Sequence, residues 1–223
     1  MSNCKPITTP LIPNIHLEPA TESEKRLFQA LNINYQSAVG SLSYLSTATR
    51  PDLSCSIISK RNNKFGLKYQ KDLEKPIVAY SDADWGNCKI TRRSTTGYLI
   101  KINDNLIIWK TCKQPTVSLS SAEAEYKSLT DLTSEILWLR PFCKEIKIDE
   151  VKVAIIVHED NQGCIDTANS DCNTNTQWMK HIYIQLHFIR EIIANSIIKL
   201  KYTPTTDMLD NFLTKSTTRP DIN

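Results

Sequence analysis

The side chains whose types and spacing suggest chemistry are carboxylates. In AYSDADW (79–85) an extended backbone alternates its side chains, so Tyr80, Asp82 and Asp84 share one face and Ala79 and Ser81 the other. Parity does not choose between the two aspartates. Farther on, Leu129, Leu132, Ile136 and Leu139 recur at helical spacing, and at about 100° per residue Glu125 falls near the centre of their stripe, with Glu123 almost opposite. A carboxylate aimed into an apolar stripe is costly unless it is paired or bound to a metal. Glu125 therefore needs a partner, whereas Glu123, three residues after Ser120, fits a capping box. In VHEDNQ (157–162) Glu159 and Asp160 stand where an apolar strand gives way to a polar turn, a favoured position for catalytic groups. If Asp82, Glu125 and Asp160 converge, three carboxylates repel one another unless a cation lies among them. Such an oxygen-only set suits Mg²⁺ or Mn²⁺, and a pair of ions about 3.5–4 Å apart would promote phosphodiester hydrolysis. Lys89, Arg92, Arg93, Lys101, Lys110 and Lys113 lie in and around the intervening hairpins against one acid, Asp104, a basic surface able to hold a phosphate backbone.

Positioning those groups requires a particular run of elements. Ile77 to Trp85, Ser94 to Asn103 and Asn105 to Lys113 read as strands, the last two joined by a polar Asn103-Asp104-Asn105 turn. A helix is predicted over 121–145, and the β-branched run from Val151 to Val157 reads as a central parallel strand. A short helix over 161–169, an amphipathic helix over 179–195 with Ile182, Leu186, Ile189 and Ile193 on one face, a strand over 197–202 and a helix over 206–215 complete the order. The pattern is an α/β layer architecture. Ahead of it, Pro6, Pro10, Pro13 and Pro19 predict an extended arm, apolar residues between 21 and 49 a small helical unit, and 60–75 a basic connector.

Composition narrows the class. The chain has 223 residues, 40% hydrophobic and 23% charged, an ordinary globular balance, and a net charge of +3 that by itself identifies no partner. Neither a spanning helix nor a signal peptide is expected, which predicts an intracellular protein without a membrane partner. Seven scattered cysteines without a C-x-x-C pair argue against a zinc ribbon or a disulfide framework.

YSDADWGNC (80–88), RRSTTGYLI (92–100), KQPTVSLSSAEAEYKSL (113–129), EDNQGCI (159–165), KHIYIQLHFIRE (180–191) and KLKYTPTTDMLDNFLTK (199–215) together resemble the ribonuclease H domain of copia-type retrotransposon Pol polyproteins. SAVGSLSYLSTATRPDLS (37–54) resembles the end of the same family's reverse transcriptase, and GLKY (66–69) the segment entering the ribonuclease H domain. The resemblance implies a ribonuclease H-like fold: a mixed five-stranded sheet, three antiparallel strands then parallel ones, with helices on both faces. It divides the chain into 1–75 (arm, shortened reverse-transcriptase remnant, connector), 76–216 (ribonuclease H-like domain) and 217–223 (tail). Without an Asp-Asp dipeptide, no polymerase activity is expected from the chain.

The resemblance also implies roles. Asp82, Glu125 and Asp160 become the catalytic, metal-binding acids for two Mg²⁺ or Mn²⁺ ions, and Lys89, Arg92, Arg93, Lys110 and Lys113 the nucleic-acid contacts. The implied substrate is an RNA:DNA hybrid and the implied partner the rest of a Pol polyprotein, in the cytoplasm, in retrotransposon particles or in the nucleus. The family's fourth acid falls on Asn211, with Asp210 just before it as the alternative. Adjacent helical positions point about 100° apart, so Asp210 is not expected to substitute simply, and weaker binding of one metal with reduced activity is predicted. Tyr183 stands where the family usually has an aspartate, and His181 and His187 read as packing or surface residues.

Overall fold

The computed structural model describes residues 75–148, 153–170 and 182–215, together with residues 69 and 70 and scattered positions between 21 and 46. Five strands form one sheet: β1 (Val78–Asp84), β2 (Thr95–Ile102), β3 (Asn105–Lys113), β4 (Ile155–Glu159) and β5 (Ile198–Tyr202). Their order is β3-β2-β1-β4-β5. β1, β2 and β3 pair antiparallel, while β4 pairs parallel with both β1 and β5. This is the mixed sheet expected for a ribonuclease H-like fold. The β2–β3 turn places both Asn103 and Asp104 at positive φ, 50° and 64°, the backbone a two-residue hairpin needs for strands of right-handed twist.

Helix α1 (Ser121–Glu145) covers one face. Its predicted stripe is buried, as Leu129, Leu132, Ile136 and Leu139 pack into the main core with Ala79, Tyr98 and Ile100 from the sheet. Small polar residues allow close approach there: Ser81 Oγ donates to Ser128 Oγ (3.0 Å), which donates onward to the Asp82 carbonyl (3.0 Å). Helices α2 (Gln162–Asn169) and α3 (Tyr183–Ala194) complete this layer. The central strand starts later than predicted, at Ile155, and Val151 and Lys152 lie outside the described residues, as do 179–181 of the expected amphipathic helix.

The opposite face carries a smaller core of Leu99, Leu106, Phe212 and Leu213, with Tyr80, Trp109 and Leu209 against it. The single helix predicted over 206–215 is instead a 3₁₀ turn (Thr205–Asp207) followed by the four-residue helix α4 (Asn211–Thr214), because Met208 is extended, with ψ at 115°. Trp109 Nε1 donates to the carbonyl of Ser46 (2.7 Å), so residue 46 touches β3 on this side. The proline-rich arm, most of the basic connector and the tail lie outside the described residues.

Candidate metal centre

Asp82 lies near the end of β1 on the face opposite α1 and is 1% exposed. Glu125 lies in the second turn of α1, and Asp160 follows the last residue of β4. One carboxylate oxygen from each falls within 4.8 Å of the other two. Asp84, sharing parity with Asp82, is outside this group and less buried. Tertiary packing thus separates two aspartates that strand alternation left equivalent.

The rotation of α1 that turns Glu125 inward is fixed at the helix start. Ser120 Oγ accepts from Glu123 N–H (3.1 Å), and Glu123 returns a carboxylate to Leu119 N–H (2.8 Å) and pairs with Lys127 (2.8 Å). Glu123 therefore caps as expected, but it is buried among these partners rather than solvated. Gln114, immediately after β3, is buried and donates to Thr96 Oγ1 (3.1 Å) and to the Ala124 carbonyl (2.9 Å), while accepting from Ser118 Oγ (2.8 Å). It fastens the first turn of α1 to the sheet one residue from Glu125. Gln114 lies within KQPTVSLSSAEAEYKSL, and neither its residue type nor its spacing signals this role.

Several partners orient the other acids. Thr214 donates its hydroxyl to Asp82 Oδ2, and Lys215 Nζ lies 3.1 Å from Asp82 Oδ1. Thr205 donates to Asp160 Oδ2 (2.6 Å). These contacts depend on α4 lying close to the sheet, and Gly97, opposite Asp82 in β2, permits it: a Cβ there would come within 2.5 Å of Thr214 Cγ2 and 2.9 Å of Leu213 Cβ. Thr205, Thr214 and Lys215 were legible only as members of the closing motif.

Electrostatics at the site are dominated by burial and like charge. Burial first, then the charges of Glu159, Asp82 and Asp160, raise the Glu125 carboxyl well above its usual range. Glu159, the last residue of β4, is raised well above its range by burial, with Asp160 and Asp82 adding to it. Asp210 is 0% exposed and raised likewise, by burial and then by Asp82. Burial by itself would lower the Lys215 ammonium, but Asp82, followed by Asp160 and Glu125, raises it overall. Among the described residues, Glu125 Oε2, Glu159 Oε2 and both carboxylate oxygens of Asp210 are buried and meet no hydrogen-bond donor. Three converging carboxylates with an orphaned buried oxygen on one of them fit a hard divalent cation.

At the fourth position, Asn211 spends its amide N–H groups on the carbonyls of Thr205 (2.5 Å) and Met208 (3.2 Å), and its Oδ1 accepts from Lys215 (3.3 Å). Asp210 is the buried acid whose strongest charged neighbour is Asp82. The basic residues divide. Lys89, Arg92 and Arg93 are exposed on the loop after β1, and Lys113 reaches that loop through Cys88 Sγ (3.2 Å). Lys110 lies over the Tyr98 ring at 5.6 Å, and Lys101 is buried against Asp104 (2.5 Å). Tyr183 and His187 form an edge-on pair on α3, and His181 lies outside the described residues. Cys143 and Cys164 are buried thiols. Among the described residues, no helix is long and apolar enough to cross a membrane.

No protein-family model matches the chain. It is 31% identical over 242 residues to the retrovirus-related Pol polyprotein from transposon TNT 1-94 of Nicotiana tabacum, an alignment covering 96% of this chain and 18% of that polyprotein. It is also 31% identical over 242 residues to the retrovirus-related Pol polyprotein from transposon RE1 of Arabidopsis thaliana, covering 98% and 16%. Among solved structures, LC11-RNase H1 in complex with RNA/DNA hybrid is similar over 59% of this chain and 88% of that one, with 12% identity and a TM-score of 0.44. The chain spans less than a fifth of the length of the polyproteins it matches. At this identity over nearly its whole length, it belongs to the retrovirus-related Pol polyproteins of copia-like transposons.

Proposed function

We propose that this chain is a ribonuclease H-type endonuclease that uses divalent metal ions to cleave the RNA strand of RNA:DNA hybrids. The observation that carries the reading is the convergence of Asp82, Glu125 and Asp160, from a strand, a helix and a strand end, to within 4.8 Å. In this reading the three acids hold two Mg²⁺ or Mn²⁺ ions. Such ions stabilise charge on the attacking and leaving oxygens of phosphodiester hydrolysis. Thr214 and Thr205 orient Asp82 and Asp160 through their hydroxyls. Lys89, Arg92, Arg93 and Lys113 hold the phosphate backbone at the loop after β1, with Lys110 farther along β3. Selection of the RNA strand rests on its 2′-hydroxyl groups. The partners are the hybrid and the rest of a Pol polyprotein, as the transposon relatives suggest.

One observation favours a second reading, a weakened remnant that keeps the fold and binds nucleic acid. Asn211 brings no charge to the fourth position, and its amide is committed to two backbone carbonyls and Lys215. Incubation of the chain with a labelled hybrid and Mg²⁺ or Mn²⁺, beside Asp160→Asn, decides between them. Cleavage lost on that substitution supports the enzyme; hybrid binding without any Asp160-dependent cleavage supports the remnant.

A further inference from the structure

Both carboxylate oxygens of Asp82 are engaged by consecutive residues of one segment, Oδ2 by the Thr214 hydroxyl and Oδ1 by the Lys215 ammonium at 3.1 Å. Among the described residues, Asp82 is the carboxylate within ion-pair distance of Lys215. The lysine is steered there by Asn211 one turn earlier. With its amide nitrogen tied to the carbonyls of Thr205 and Met208, Asn211 is left with Oδ1 facing the ammonium at 3.3 Å. The seating of α4 against Gly97 holds the whole segment on the sheet. Any cation that binds Asp82 meets an oxygen already in use and a positive charge beside it.

We propose that Lys215 is the internal counter-ion of Asp82, holding this carboxylate in the metal-free chain and competing with a divalent cation for it. The inference rests on the metal-centre reading above. A lysine suits the task. Its ammonium is a point charge on a four-carbon stem, and its side chain is 38% exposed, so it can withdraw to solvent when a cation arrives. An unlike outcome is expected for the two states: Lys215 favours the empty chain by screening Asp82 from the neighbouring acids, and it disfavours the loaded one.

The test is Mn²⁺ binding by calorimetry, with the Mn²⁺-induced rise in Tm as a second readout, on the full chain and on Lys215→Met, Lys215→Gln and Lys215→Arg. Removing the charge is expected to tighten Mn²⁺ binding about tenfold, since a unit charge within a few ångströms of a dication acts strongly at a partly buried site. It should also lower Tm in EDTA and enlarge the Mn²⁺-induced rise, while Lys215→Arg binds as the parent does. Lys215→Gln gives the same answer if Lys215→Met does not fold. Unchanged or weaker affinity in the neutral variants, or tightening by Lys215→Arg as well, overturns the proposal while leaving the metal centre intact. Absence of Mn²⁺ binding in every form overturns the metal centre and the proposal together. Tighter binding without hybrid cleavage upholds the counter-ion and sinks only the enzymatic reading.

Discussion

Asp210→Asn is expected to stabilise the chain in the absence of metal. Asp210 is fully buried, and neither of its carboxylate oxygens meets a donor. Burial, then the charge of Asp82, holds its carboxyl well above the ordinary range. A buried polar group left without a partner costs about 1–3 kcal/mol, and more when charged. Asparagine has nearly the same shape and still buries an unpartnered polar group, so only the extra cost of the charge is removed; a gain of about 1–2 kcal/mol is expected near neutral pH in EDTA, or about 3–10 °C in Tm for a domain of this size. The pH dependence has a definite sign. The folded carboxyl binds its proton more tightly than the unfolded one, which titrates near about 3.9, so the parent loses stability as pH rises from there through the raised folded value. The variant lacks that loss, and its advantage shrinks towards zero near pH 4. Urea unfolding at pH 4 and at neutral pH measures both effects. Destabilisation at neutral pH, or an advantage equally large at pH 4, would refute the view of Asp210 as an uncompensated buried acid.

Other perturbations address how the site is assembled. Asn211→Asp is expected to raise Mg²⁺-dependent hybrid cleavage, measured as initial rate; if Asp210→Ala alone abolishes cleavage, the fourth position belongs to Asp210 instead. Gly97→Ala should lower stability by about 1–3 kcal/mol by overpacking and should reduce cleavage in parallel, because its Cβ meets Thr214 and Leu213, and α4 carries the partners of Asp82. Gln114→Ala should cost about 1–3 kcal/mol in urea unfolding, since it strips partners from Ser118 and from the Ala124 carbonyl beside Glu125. A loss of stability smaller than about 0.5 kcal/mol in that variant would show that Gln114 does not anchor the helix.

Local rules made much of this protein legible in its sequence. A 25-residue helix with its capping box, three strands with a polar turn between the last two, and the inward direction of Glu125 all follow from periodicity, turn chemistry and capping, which act between residues close in the chain. The break at Met208 was not visible, because no breaker residue stands there and its extended backbone accompanies the burial of Met208 and the packing of Phe212 with Leu99 and Leu106. Strand parity could not separate Asp82 from Asp84; the resemblance chose Asp82, and the segment of α4 packed over Gly97 covers it, while Asp84 lies outside the cluster. The sequence by itself determined which carboxylates were available and that Glu125 faced inward. Only the tertiary structure decided that Lys215 and Thr214 engage Asp82 from more than 130 residues away, and that Asp210 is buried without a partner. The physical reason is range: side-chain alternation and helical rotation are set by neighbours, whereas charge pairing and desolvation depend on which distant segments the packed sheet brings together.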